Sequence, residues 1–299
     1  MSSFTIRAVL WNPEGLTVTL QEHGVPRGGL ASQRLLRPLT GLNTFVNFLR
    51  KTLVIAELEA RKLRHDPTEL ITRAVQPALW LLVFGQVFTR TRAIPTGDVP
   101  YLDFMAPGIL AQSVLFIAIF SGIAIIWERD LGIVHKFLAS PTPRTALVLG
   151  KALSAGVRAL TQAIFIYLLA LLLGVDLNLH PLALLGVLTA VILGAILFST
   201  FSLIIACLVK TRERFMGIGQ VLTMPLFFAS NAIYPIDIMP GWLKVLARIN
   251  PLSYEVDMLR ALMIGQSSAT GLLVDFGVLV LVSGGLLLIG AKMYPRVAV

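Results

Sequence analysis

Between two long apolar runs, residues 128–151 read ERDLGIVHKFLASPTPRTALVLGK, with Glu128, Arg129, Asp130, His135, Lys136, Arg144 and Lys151 in one short stretch. Such a cluster suits charge-assisted contacts with another surface, and the residue types needed to make or break covalent bonds are not assembled around it. A phosphate-binding loop needs G-x-x-x-x-G-K-[ST], because backbone amides and the lysine together cradle the phosphates. Gly150-Lys151-Ala152 lacks both the first glycine and the hydroxyl residue. No G-x-S-x-G or H-E-x-x-H occurs, the four histidines stand apart at 23, 65, 135 and 180, and Cys207 is the single cysteine. The expectation is therefore no catalytic residue and no metal site. Leu131, Val134 and Leu138 at helical spacing predict a short amphipathic helix over Glu128 to Ala139, followed by a turn at Ser140 to Pro143. A docking element at a membrane surface fits this pattern.

The elements that must position this stretch are membrane helices. Of 299 residues, 56% are hydrophobic and 14% charged, and the mean hydropathy is +0.81, well above a soluble domain. Net charge +9 does not point to nucleic acid, since the basic residues flank apolar runs and lack interleaved aromatics. The predicted fold class is all-α: a polytopic integral membrane protein of six transmembrane helices, with an N-terminal interfacial amphipathic helix and an external re-entrant helical hairpin.

In chain order, residues 1–42 form a cytoplasmic extension, with a weak strand pattern at Leu16 to Leu20. Residues 43–65 form the interfacial helix, and 66–299 the transmembrane domain. The interfacial helix has apolar residues at steps of three and four, with Arg61 and Arg64 among its basic residues at the point of entry. Asp66 as N-cap, Pro67 at the first helical position and Glu69 at the third open the first span. The spans are expected at about 74–88, 104–127, 152–174, 181–208, 215–233 and 271–291, with a kink at Pro77 and the docking stretch at 128–151. In the third span Ser154, Arg158 and Gln162 fall at four-residue steps and share one face. Arg158 suits equally a contact between helices or a snorkelling anchor. The hairpin, 236–265, holds two short amphipathic helices separated at Asn250-Pro251, the Asn a cap and the Pro the first helical residue. Asp275, one turn inside the last span, is expected wet at the interface.

Lys and Arg gather before the first span, in 128–151, after the fourth span and at the C-terminus. That asymmetry puts both termini and the docking stretch on the cytoplasmic side of a multi-pass protein of the cytoplasmic (inner) membrane.

Glu128-Arg129-Asp130-Leu131-Gly132, then Phe137-Leu138-Ala139-Ser140-Pro141 and Leu149-Gly150-Lys151, resemble the cytoplasmic loop of ABC transporter type-2 permeases. Asn250-Pro251-Leu252-Ser253-Tyr254, with Asp257, Leu259 and Arg260, is similar to the family's last external motif. The resemblance covers about residues 45 to 293 and is nearest to the daunorubicin-resistance and nodulation-factor exporters. It implies a permease subunit paired with a second copy or a homologue in membrane lipid, with no nucleic acid partner. It further implies a separate ABC ATP-binding subunit that carries ATP and Mg, leaving this chain without a cofactor. ATPase coupling would fall to Glu128, Arg129, Asp130, Gly132, His135, Lys136, Leu138, Ser140, Pro141 and Arg144. The gate entry would use Arg61, Arg64, Asp66 and Pro67. Pathway candidates by this analogy are Gln76, Gln86 and Asn231, with Arg158, and the external motif is carried by Asn250, Pro251, Tyr254, Asp257 and Arg260. The substrate would be a drug, a lipid or a lipid-linked glycan. The competing reading, an ion- or proton-coupled carrier, needs buried carboxylates near mid-membrane. A lipid-processing enzyme would need His, Asp or Glu clustered at one depth.

Overall fold

In the computed structural model, residues 50, 54, 67–92, 94–97, 99–139, 142–266 and 268–298 are described. The extension, the short strand, the interfacial helix apart from residues 50 and 54, and Arg61, Arg64, Asp66, Ser140 and Pro141 lie outside these residues. Among the described residues the elements are helical, with no strand.

The first membrane stretch is α1 (Pro67–Leu79), a π-helical segment Trp80–Gly85 and α2 (Gln86–Thr91). The expected irregularity at Pro77 takes the form of this wider turn three residues later. A proline removes one backbone donor, and an i→i+5 turn is one way a helix absorbs the lost register. Trp80, Phe84, Phe88 and Tyr101 then follow one another in ring contact, at centroid distances of 4.5, 6.2 and 5.5 Å.

Next come α3 (Tyr101–Asp130), α4 (Ile133–Ala139), α5 (Arg144–Leu172), α6 (Pro181–Leu208) and α7 (Arg212–Phe228). The chain continues with α8 (Gly241–Ile249), α9 (Pro251–Ile264) and α10 (Leu272–Met293), closed by a 3₁₀ turn Tyr294–Ala298. Four helices are long and apolar enough to cross a membrane: α3, α5, α6, and α10 with its appended turn. The other two expected spans are helical but fall short of that standard among the described residues. The first is interrupted by its π-helical segment. The fifth, α7, has 17 residues, about 25 Å against a hydrocarbon core of about 30 Å. It stops at Phe228 rather than 233, where Ala229, Ser230 and Asn231 leave the helix.

α6 is the axis of the bundle, packed against α3, α5, α9 and α10. Small residues let the backbones approach, as in membrane helix pairs generally. On α3, a Cβ at Gly108 would run into the carbonyl of Ala232, and one at Gly122 into Ser202 and Phe215. Ser202 Oγ fills that crossing by donating to Ile119 O. At the far end of the bundle, Tyr101 Oη donates to Ile233 O at 3.1 Å and ties α3 to the chain beyond α7.

The hairpin runs into the bundle. Leu262 packs on Gly186 and Glu255 on Gly194, so α9 lies antiparallel to α6 with its N-terminal half furthest in. Gly194 is roughly 20 Å along α6 from its start. Asn250 sits beneath the end of α7, its Nδ2 donating to Leu226 O at 2.6 Å, while Met263 O accepts from Asn178 N at 2.6 Å in the α5–α6 loop. The expected cap holds: Asn250 Oδ1 accepts from Leu252 N at 3.0 Å with Pro251 first in the helix. The expected amphipathicity holds for α8, which exposes Trp242, Val245, Leu246 and Ile249, but not for α9. In α9 Leu252, Glu255, Val256, Asp257, Leu259, Arg260 and Met263 are all buried.

Candidate functional site

The α4 end of the bundle is tied together by charges that belong to the fold. Helix α3 runs three residues past Trp127, so Glu128, Arg129 and Asp130 extend a membrane helix instead of opening a surface one. A turn follows, with Gly132 at φ +70°. Gly132 N donates to Arg129 O at 2.9 Å, and a left-handed residue just past a helix end is glycine's usual place. The single amphipathic helix expected over Glu128 to Ala139 is therefore two pieces, and Leu131 is turned to the outside at 67% exposure.

Glu128 is buried and forms an ion pair with Lys151 of α5. Lys151 Nζ also lies 5.5 Å from the Phe137 ring centroid of α4. Arg129 reaches the α6–α7 connection, donating from Nη1 to Val209 O at 3.4 Å and from Nη2 to Lys210 O at 2.6 Å. Asp130 binds Arg212 of α7 at 2.7 Å, and that guanidinium stacks 3.4 Å from the centroid of Trp127. Thr211 caps α7, its Oγ1 accepting from Arg214 N at 3.4 Å. Beneath these contacts Val134 packs in one apolar cluster with Ile126, Leu147, Phe215, Tyr294 and Val297. The C-terminal 3₁₀ turn is thus part of the base on which α4 rests, a role with no signal in the sequence pattern. Lys136, His135 and Arg144 are exposed beside Leu131, while Leu138 is half-buried. The coupling candidates divide accordingly into internal ties (Glu128, Arg129, Asp130) and an outer face (His135, Lys136, Arg144), beside which Leu131, not one of the candidates, is also exposed.

The structure separates the pathway candidates. Gln76 of α1 lines a cavity of about 420 Å³ with Gln112 and Ser113 of α3 and Gln162 of α5. Gln86 is half-buried in α2, away from that cavity's lining. Arg158 instead lies near the α4 end, among Ser121, Glu128, Lys151, Ser154 and Ser199. The shared face of Ser154, Arg158 and Gln162 thus points inward but serves two different places.

Asn231 belongs to a third place, a buried polar network at the far end. Its Nδ2 donates to Asp257 Oδ1 at 2.6 Å, and its own carbonyl accepts from Arg260 Nη2 at 2.9 Å. Arg260 Nη1 pairs with Asp257 Oδ1 at 3.3 Å, and the guanidinium sits 3.8 Å from the Phe104 ring centroid. These groups line a cavity of about 330 Å³ with Asp237, Arg248, Ser253 and Gln266. Tyr254 of the same motif donates from its hydroxyl to Arg248 O at 2.7 Å and ties α9 to α8.

Two acidic residues lie where the sequence did not place them. Asp275 is fully buried rather than wet, and its carboxylate accepts from the hydroxyls of Ser268 and Thr270. The connection before α10 folds over it and supplies the donors that water was expected to give. Glu255 is fully buried against Gly194 with neither carboxyl oxygen partnered. Its only sequence signal is the tight spacing of Glu255, Asp257 and Arg260, which puts charge on more than one side of α9 and leaves no purely wet face.

The ABC-2 type transporter family model matches residues 50–264. The putative transport permease ycf38 of Cyanophora paradoxa is 30% identical over 219 residues, 72% of this chain and 74% of that protein. The daunorubicin resistance ABC transporter permease protein DrrB1 of Streptomyces coeruleorubidus is 27% identical over 233 residues, 78% of this chain and 80% of the relative. Nodulation protein J of Rhizobium leguminosarum bv. viciae is 27% identical over 173 residues, covering 57% and 66%. The matched region contains α1 to α9, and hence both the α4 cluster and the Asn250 to Arg260 network. ABC-2 permeases are membrane transport components that work with an ATP-binding subunit, and this chain belongs to the ABC-2 type transporter family.

Proposed function

We propose that this chain is the transmembrane half of an exporter in the cytoplasmic membrane, with both termini cytoplasmic, driven by a separate ATP-binding subunit that docks on the outer face of α4. The observation that carries the reading is the cross-tied α4 end. Leu131, His135, Lys136 and Arg144 face outward, while directly behind them Glu128–Lys151, Arg129–Val209/Lys210 and Asp130–Arg212 bind α3, α5, α6 and α7 together. A push on α4 therefore reaches four helices at once. ATP and Mg would be held by the partner, and two permease chains would enclose the pathway. The cargo in this reading is a drug, a lipid or a lipid-linked glycan; the daunorubicin-resistance relative supports the first, and the cavity lined by Gln76 and Gln162 supports a polar group within an apolar wall.

Purification of the tagged chain from its native membrane, with Leu131→Asp as the variant, tests the docking face. The expected result is an ATP-binding subunit recovered with the wild type and lost with the variant, while Leu131→Ala keeps most of it. No ATP-binding protein even after cross-linking would overturn the reading.

A second reading, the proton-coupled carrier, is favoured by one observation, the unpartnered Glu255 inside the bundle. Its charged form carries a heavy desolvation cost, as expected of a group that works neutral or by exchange. Transport in vesicles that survives an uncoupler but needs ATP excludes it, and the opposite outcome establishes it.

A further inference from the structure

Glu255 packs on α6 at Gly194, about 20 Å from the start of that helix and so well inside a hydrocarbon core of about 30 Å. A Cβ at Gly194 would fall on its carboxyl group, so the acid fills the space that a side chain there would take. It is fully buried, and neither carboxyl oxygen has a hydrogen-bond partner.

The helices around it offer nothing to answer a charge. α9 packs against α3, α6 and α10. α3 has no ionisable residue between Asp103 and Glu128, α6 has none before Cys207, and α10 has none between Asp275 and Lys292. Tyr101, Asp103 and Asp275 stand at the far end of the bundle, and Glu128, Cys207 and Lys292 at the α4 end. α8 adds Lys244 and Arg248, whose carbonyl accepts from the Tyr254 hydroxyl. On α9 itself Tyr254, Asp257 and Arg260 line the 330 Å³ cavity, and Glu255 is absent from that lining. Two residues from Asp257 is about 160° around a helix, so Glu255 faces away from the cavity and onto α6.

A carboxylate in such a place costs far more than the neutral acid. The packed arrangement is therefore one with the proton on. We infer that Glu255 is a proton latch on the hairpin: α9 seats against α6 only while Glu255 is neutral, and its ionisation releases α9. The packed form keeps its proton, and the released form, reached by water, gives it up above the ordinary carboxylate range. Acid thus favours the packed form, and each pH unit above about 5 favours release about ten-fold. The inference is independent of the exporter reading. No proton has to cross the membrane, and the ATP-binding subunit takes no part in the test.

The test is amide hydrogen exchange on the full chain in phosphatidylcholine nanodiscs between pH 5.5 and 8, corrected for the intrinsic pH dependence of exchange, with α3 as the reference. In the wild type, protection over Pro251–Ile264 is expected to fall about ten-fold per pH unit while that of α3 holds. Glu255→Gln keeps the shape without the titration and should make the protection of α9 independent of pH. Glu255→Met should do the same, and serves if the glutamine variant does not fold. Asp275→Asn removes the buried carboxylate at the far end and should leave the wild-type dependence intact. Wild-type protection that does not change with pH would overturn the inference, as would an equal loss across α3. So would a dependence that survives in the Glu255 variants, or one that Asp275→Asn abolishes.

Discussion

The two ends of this molecule handle charge in opposite ways. At the α4 end each of the carboxylates Glu128 and Asp130 has a basic partner on another helix, and the pairs grade from buried (Glu128–Lys151) to open (Asp130–Arg212). At the far end Asp257 and Arg260 are paired inside the fold, Asn231 Oδ1 and Arg260 Nε go unsatisfied, and Glu255 has no partner at all. A paired, partly wet cluster holds a fixed shape at modest cost. A buried and incompletely satisfied one sits higher in free energy and gains when its surroundings change. The contrast suits a stiff handle at one end and an element that must move at the other.

The largest effect is expected at Gly194. A Cβ there would collide with the Glu255 carboxyl, so Gly194→Leu should abolish most folded protein on size-exclusion chromatography. Adding Glu255→Ala should restore a large part of it. Next in size, Arg260→Met leaves Asp257 buried without its cation and should cost about 3–5 kcal/mol, read as a large fall in melting temperature in detergent. Glu128→Lys puts two cations together at the α4 end and should cost about 2–3 kcal/mol, less because water lies nearer. Combining it with Lys151→Glu should recover at least half of the loss. The smallest effect is expected for Asp130→Asn. Its pair with Arg212 joins an exposed carboxylate to a half-buried guanidinium at the surface, and the melting temperature should not change measurably.

Much of this architecture was legible because the signals are local. Apolar length marked the four long helices, and Asn250-Pro251 marked a helix start that the structure confirms to the residue. The break at Gly132 was less visible, because Leu131, Val134 and Leu138 fit a helical stripe just as well when a left-handed glycine interrupts it. What escaped is long-range. Glu255 opposes a glycine 61 positions earlier in the chain. The C-terminal turn under Val134, and the convergence of Gln112 with Gln162, likewise depend on which helix faces turn toward each other. Periodicity gives a helix its apolar side but does not choose its neighbour. For Asp275 the sequence supplied depth without saying that Ser268 and Thr270 would fold back over it.

The central claim is that the α4 end moves as one body when its ATP-binding partner acts. Amide hydrogen exchange on the chain in nanodiscs, bound to its ATP-binding subunit, with and without ATP and Mg, measures this directly. The expected result is that α4, the first turns of α5 and the Leu208 to Phe215 connection change protection together. Glu128→Lys is expected to uncouple the last two from α4. A change confined to α4 in the wild type would contradict it.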